Sequence, residues 1–277
     1  MESTLFMNAA ADAKRLWVEF SDIEPLKVIE WKRAVREARL DINSKRLYGK
    51  KAGNGFRELQ NGYRSLVDIA EPRCSEILQR TAKPAMFMVT AAEGTVISMS
   101  GQADLLRRME EEHNLGLGTV FNLQKSGVNA ITVARELKRW VFLKGSEHEL
   151  QLFARWSCFC SPIHQDERIV GYLDLSFADE EDHVLFASIF DFTLRGIEEG
   201  LRQQSPDARK ESVMERLREY KLTPRELEIG YLWLMNNSVR SIAEKLVLTE
   251  GTTRLVIKKV YKKTVVSDKG GFLSKFL

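Results

Sequence analysis

Residues 222–266 read LTPRELEIGYLWLMNNSVRSIAEKLVLTEGTTRLVIKKVYKKTVV. Three helices are legible here. The first opens with Thr223 as N-cap, Pro224 at the first helical position and Glu226 three residues after Thr223. That is a capping box, with proline where its missing N–H costs nothing. Ile229, Leu232, Trp233 and Met235 supply an apolar face, and Asn236-Asn237-Ser238 ends the helix. A short second helix turns Ile242, Ala243 and Leu246 inward and Arg240, Glu244 and Lys245 outward. After the tight turn at Val247-Leu248, Thr249 caps a third helix whose first turn carries Glu250, a charge suited to a helix N-terminus. This third helix interleaves Leu255, Val256, Val260 and Thr264 with Arg254, Lys258, Lys259, Lys262 and Lys263.

Two short helices, the second one basic, suit duplex DNA, whose major groove is about 12 Å wide and admits one helix. Phosphates on either side reward lysine and arginine. Residues 249–277 hold seven basic and two acidic side chains, a net +5, and residues 207–277 hold fifteen and nine, a net +6. The whole chain is +3, so the first 206 residues carry about −3. Basic charge is thus concentrated at one end, as a nucleic-acid footprint requires. The plainer reading of such a run is a solvated helix face, and an acidic protein is the alternative partner.

These residues resemble the LuxR/FixJ-type helix-turn-helix, whose pattern runs LTxRExEVL, SxxEIAxxL and SxxTVKxHxxxIxxKL. Leu222, Thr223, Arg225, Glu226 and Glu228 match its opening; Ser238, Ile242, Ala243, Glu244 and Leu246 match its middle. Thr249, Glu250, Gly251, Thr252, Arg254, Val260, Tyr261 and Lys263 match its recognition helix, while Thr253, Val256 and Thr264 depart from it. The resemblance implies double-stranded DNA as partner, a homodimer on a partly palindromic site, and RNA polymerase as the machinery acted upon. It implies backbone contacts for Thr252, Arg254 and Lys263. Leu255, Lys258 and Lys259 are expected at the groove floor, with Lys262 in the same DNA-binding set. A fourth helix is poorly marked, because Gly270-Gly271 precedes Phe272-Leu273.

A chain of 277 residues predicts more than one domain. No basic-then-apolar leader opens it, and no apolar run approaches the ~20 residues of a membrane span. Cys74, Cys158 and Cys160 are the three cysteines, and the last two alternate on one strand, an unlikely geometry for a disulfide. Reduced thiols and a cytoplasmic location are the resulting expectation. Residues 5–20 favour helix, as do Pro25–Leu40 and Phe56–Thr81, the last broken or kinked at Pro72. Gly53-Asn54-Gly55 is read as a mobile connection, without the third glycine of a dinucleotide fingerprint. From Met86 the period changes. Met86–Val89 and Thr95–Met99 form a hairpin, Asp104–His113 and Ala130–Leu137 are helices, and Trp140–Leu143 is a strand. Trp156–Ile163 and Ile169–Phe177 form a second hairpin around Asp166-Glu167-Arg168, and a long helix runs from Asp179 to about Gln203. Antiparallel strands with helices on one face predict an α+β sensor fold of GAF or PAS type, followed by a small all-α domain. The expected divisions are a helical segment over 1–82, the sensor with its long helix over 83–205, a linker over 206–221 and the DNA reader over 222–277.

The runs SGVNAITVA, KGSEHELQLFARWSCFCSPI and ERIVGYLDLSF resemble the N-terminal GAF sensor of the bacterial acetoin- and glycerol-catabolism activators. Gly127, Asn129, Ala130, Ile131, Gly145, Glu147, His148, Trp156, Cys158, Pro162, Ile163, Gly171, Leu173, Asp174, Leu175 and Ser176 match, and Val128 and Thr132 do not. An ATPase domain follows the sensor in that family. No GxxxxGK[ST] occurs in this chain, so its expected action is recruitment or occlusion without ATP hydrolysis.

Small-effector candidates cluster in these runs. Trp156, Cys158 and Cys160 share a strand face, preceded by His148 and Phe153, and an apolar wall with few polar groups is the usual small-ligand site. The plainer reading of the same residues is core. Asn129 is either a helix N-cap or a ligand hydrogen bond. A metal held by Glu147, His148, Cys158 and Cys160, or a redox-active thiol, are further alternatives, although C-x-C is not the spacing of a structural zinc site. No metal and no cofactor is expected. Asp174 either faces water or meets a basic group. No Gly-x-Ser-x-Gly elbow or H-E-x-x-H occurs, and the four histidines are scattered, which argues against an enzyme.

Overall fold

The computed structural model describes residues 16–204 and 206–276. The chain divides into two compact units, Met1–Leu201 and Arg202–Leu277.

The first unit is built in the order β1 (Val18–Glu19), α1 (Pro25–Glu37), α2 (Gly53–Gly62), α3 (Arg64–Gln79), β2 (Ala85–Thr90), β3 (Val96–Gly101), α4 (Ala103–His113), α5 (Leu123–Ser126), α6 (Ala130–Leu137), β4 (Val141–Leu143), β5 (Trp156–Gln165), β6 (Arg168–Ala178) and α7 (His183–Gln204). Its six strands lie in the order β1-β4-β5-β6-β2-β3. β1 and β4 are parallel and the remaining pairs antiparallel, so the sheet is mixed. The β5–β6 hairpin closes through Asp166 and Glu167, with φ of 48° and 64°. Two left-handed residues match the twist of the strands they join.

Side chains alternate across the sheet. Met86, Met88, Val141, Leu143, Cys158, Cys160 and Tyr172 pack on one face with α1, α4 and α6. Phe87, Val89, Phe142, Phe159, Leu173, Leu175 and Phe177 pack on the other with α3 and α7. Helices therefore cover both faces, where one covered face is expected from the sequence. The nearly unbroken apolar run of β6 has its reason here, since a strand buried on both sides has no wet face to alternate with.

Three further expectations change. Residues up to 15 of the expected 5–20 helix lie outside the described residues, and Val18–Glu19 is an edge strand paired to β4. Gly53-Asn54-Gly55 opens α2 rather than forming a loop. Pro72 sits inside α3, and the break comes earlier, at Tyr63 between α2 and α3. An interior proline costs ~3 kcal/mol, but Leu66, Ala70, Cys74 and Leu78 bury the same helix against the sheet. The carbonyl it leaves without a helical partner belongs to exposed Asp68.

The second unit comprises α8 (Pro206–Arg218), α9 (Pro224–Leu234), α10 (Val239–Lys245), α11 (Glu250–Thr264) and α12 (Lys269–Phe276). Much of the expected 206–221 linker is thus helical, and it contributes Val213 and Leu217 to the core. The expected caps are present: Thr223 and Glu226 form a reciprocal box, and Thr249 accepts from the Thr252 N–H at 3.1 Å. Asp268 accepts from the Gly271 N–H at 2.8 Å, which starts α12 despite its glycines and seats Phe272 and Phe276 in the core. Among the described residues no helix is long and apolar enough to cross a membrane.

Candidate nucleic-acid interface and candidate sensor interior

α11 has two unlike sides. Thr253, Ile257, Val260 and Thr264 are buried, at the spacing of one helical stripe. Ile257 meets Ile229 and Ile242, which anchors α11 to α9 and α10. On the outer side Leu255 is 63% exposed. Lys258, Lys259 and Lys262 are exposed beside it, without a hydrogen bond or ion pair to protein among the described residues.

The other sequence candidates are engaged. Arg254 lies 2.8 Å from Glu250 one turn earlier, and the Thr252 hydroxyl is 2.9 Å from that of Thr249. Both remain on the outer surface. Lys263 differs more. Its Nζ lies 2.6 Å from Glu226 Oε2 and donates to the Lys221 carbonyl at 3.3 Å. Glu226 is only 6% exposed; burial works against its charge, but hydrogen bonds from Lys263 and Thr223 outweigh that and hold its pKa below the usual range. Lys263, expected on a phosphate, therefore ties α11 to the cap of α9. Its place beside Thr264, which ends the buried stripe, is the sequence signal for that role.

In the first unit, register brings the sensor candidates together. Val141, Cys160, Asp174 and Met88 are successive cross-strand neighbours on β4, β5, β6 and β2. Leu143, Cys158, Ser176 and Met86 form the next row. Directly opposed side chains lie within about 5.5 Å at Cβ, so Asp174 stands between a thiol and a thioether. It is 1% exposed, and Ser176 Oγ donates to its Oδ2 at 2.7 Å. Cys158 Sγ lies 3.3 Å from the same hydroxyl. Burial pushes the Asp174 carboxyl up to about 7, with the Ser176 bond pulling weakly the other way. Asp174 thus takes neither of the places expected for it, water or a basic partner. Sequence reasoning noted the residue without giving it a role, and LDLS in a strand buried on both faces was the available signal.

Phe153, Cys158 and Cys160 belong to this inner layer, and Trp156 packs against it. His148 joins through Phe153, ring centroids 5.7 Å apart. Its Nδ1 faces the carbonyls of Lys144 and Gly145 at 3.0 and 3.3 Å and so carries the proton. Nε2 is then a lone pair, buried and without a partner. Burial drives the His148 pKa down to about 4, so the ring is neutral. Thr90 Oγ1 is likewise buried and unpartnered, on the strand residue opposite Tyr172. Lone acceptors and hydroxyls in an apolar layer are what a small polar ligand would satisfy.

Asn129 is occupied by the fold. Its Oδ1 accepts from the Thr132 N–H at 3.1 Å, and its Nδ2 donates to the Ser126 and Gly127 carbonyls at 3.1 and 3.0 Å. It caps α6 and clamps the preceding loop, which leaves no free donor for a ligand. Gly127 takes φ +64°, a conformation that L side chains rarely adopt. Glu147 caps its own short turn, accepting from the Lys144 N–H at 2.7 Å. Burial and the Asp174 charge push both Cys158 and Cys160 thiols well above their usual pKa, away from the thiolate that redox or metal chemistry needs. Among the described residues no group of three or more His, Cys, Asp or Glu is placed to hold a metal ion.

Residues 66–191 match the family profile described as MimR, N-terminal domain. Over 125 residues the chain is 29% identical to the propane 2-monooxygenase operon transcriptional activator MimR of Mycolicibacterium goodii, covering 44% of this chain and 21% of that protein. Over 118 residues it is 29% identical to a signal-transduction and transcriptional-control protein of Clostridium beijerinckii, covering 41% and 18%. The chain spans about a fifth of the length of these curated relatives. Among solved structures, the crystal structure of the E. coli DhaR(N)-DhaL complex superposes with a TM-score of 0.61 at 14% identity, over 71% of this chain and 66% of that one. The first unit thus shares its fold with DhaR(N), and its central segment is similar to the N-terminal domain of a named transcriptional activator.

Proposed function

We propose that the chain is a transcription regulator in which a GAF-like first unit senses a small effector and a LuxR-type second unit binds duplex DNA. The observation that carries this reading is the outer side of α11. Three lysines with no side-chain partner among the described residues flank an exposed leucine on a helix whose opposite side is locked into a helical core. Free ammonium groups gain from phosphates through counterion release, and Leu255 offers an apolar contact of the kind thymine methyls accept. The regulator names of relatives that match the first unit support the same reading.

The sensing half rests on the layer around Asp174, His148, Cys158, Cys160, Phe153 and Trp156. Its orphaned polar atoms suit a small ligand with one donor and one acceptor. Homodimerisation is part of this reading and is supported by α7, where Leu185 and Phe192 are exposed seven residues apart on one side of the helix. RNA polymerase is the machinery such a regulator acts on, and the chain needs no ATP of its own. Footprinting the full chain on DNA upstream of its own gene tests the reading. A protected, partly palindromic segment is expected; uniform cleavage at low salt overturns it.

A further inference from the structure

Trp156 has a second environment besides the inner layer. Where β5 begins and β6 ends, a cleft of about 350 Å³ opens beside α4, a size within the range of small-ligand sites. Leu105, Met109 and Trp156 line it. Leu105 and Met109 are buried members of the layer that includes Phe153 and Cys158, and Trp156 packs on that layer. Whatever occupies the cleft therefore presses on the same apolar cluster that holds Cys158 and Cys160.

Arg108 and Arg155 also line the cleft. Asp104 holds neighbouring Arg107 at 2.9 Å, but neither Arg108 nor Arg155 makes an ion pair or side-chain hydrogen bond to protein among the described residues. A guanidinium offers planar, paired donors matched to a carboxylate, and it stacks on aromatic faces. Glu112 and Glu180 stand on the same cleft. They repel a second negative charge, which favours a monoanion over a dicarboxylate.

We propose that this cleft binds a small organic monocarboxylate, with its carboxylate on Arg108 and Arg155 and its apolar body on Trp156, Leu105 and Met109. The proposal names the effector class for the sensing unit and so rests on the reading of that unit as a sensor. Its position makes the coupling direct: an apolar body seated on Trp156 changes the packing of the layer behind it.

The test titrates full-length protein with 3-phenylpropanoate and hexanoate, using succinate and phenethylamine as charge controls, followed by calorimetry. DNA affinity is measured with and without each compound. Both monocarboxylates should bind and the controls should not. Arg108→Gln and Arg155→Gln should each weaken binding by about tenfold or more, as loss of a charge-assisted pair does. Both side chains are exposed, so the variants should fold. Equal binding by the variants, equal binding by phenethylamine, or no binding of either monocarboxylate overturns the proposal. If a ketone or diol binds instead and alters DNA affinity, the cleft assignment falls while effector sensing stands. If a monocarboxylate binds through the arginines but leaves DNA affinity unchanged, the cleft stands and the sensor reading falls.

Discussion

In α11 Lys258, Lys259 and Lys262 face water and the stripe through Ile257 and Val260 faces inward; in β6 the single carboxylate faces inward, between Cys160 and Met88. The first arrangement costs nothing to fold and leaves lysines free for a polyanion. The second costs stability, because a buried carboxylate lacks solvation and has only the Ser176 hydroxyl in return. Two kinds of site differ in this way. The surface proposed to meet DNA is built from groups already content in water, whereas the layer proposed to meet a small molecule holds polar atoms the protein has left short of partners. The aromatic face behind β6 is a third case, where no carboxylate intrudes and the indole N–H groups of Trp17 and Trp140 are the buried polar atoms without a partner.

Five single substitutions and one triple substitution sharpen the comparison. The largest effect belongs to the aromatic side of the sheet. Phe159 is fully buried and stacks on Phe142 with ring centroids 4.5 Å apart. Phe159→Ala should destabilise the first unit by about 4 kcal/mol in denaturant unfolding. A loss below about 1 kcal/mol would mean that this face is not close-packed.

Asp174 comes next and depends on pH. Its folded pKa of about 7 lies above the usual 3.8, so between those values the folded state keeps a proton that the unfolded state releases. That contribution is fully present below pH 3.8, falls as pH rises, and is gone above about 7. From pH 5 to 8 the loss is on the order of 3 kcal/mol, two units at about 1.4 kcal/mol each. Asp174→Asn cannot ionise. The variant should lack this slope and be more stable than the parent at pH 8. Parallel pH profiles for the two proteins would show that the carboxyl is solvated or paired.

Glu226→Ala tests the one charged pair that α11 sends inward. It removes the acceptor of the Lys263 ammonium and of the Thr223 N–H. Lys263 is partly exposed and recovers some water, so the expected loss is about 2 kcal/mol rather than that of a fully buried pair. The transition of the second unit reads it. Lys263→Met should likewise lower stability first, whereas Lys258→Ala should leave stability alone.

Much of the second unit was legible because its signals are local. Thr223-Pro224-Glu226 and Thr249-Glu250 name their own helix starts, and the stripe through Ile257 and Val260 names its inner face. The Lys263–Glu226 pair was not legible because the two residues lie thirty-seven positions apart. The strands of the first unit were legible, but their coverage was not. Which face each helix takes is settled by long-range packing, and the same holds for Pro72 inside α3 and for Val18–Glu19 on the sheet edge. The candidate pocket residues were found by their strand alternation. The reason they converge, the register that sets Cys160 beside Asp174 and Asp174 beside Met88, is a tertiary fact no spacing in one chain can supply. Asn129 shows the opposite limit. A cap and a ligand contact look identical in sequence, and only its hydrogen bonds to Thr132, Ser126 and Gly127 tell them apart.

The smallest effect bears most directly on the central claim, that the free side of α11 lies against duplex DNA. DNA affinity of the full chain, measured by fluorescence anisotropy across a salt series, gives the number of phosphates neutralised. Lys258→Ala should weaken binding and reduce the salt slope by about one unit, and the combined substitution of Lys258, Lys259 and Lys262 should reduce it by about three. A slope unchanged by the triple substitution, with the second unit still folded, would contradict the assignment of α11 as the DNA-contacting helix.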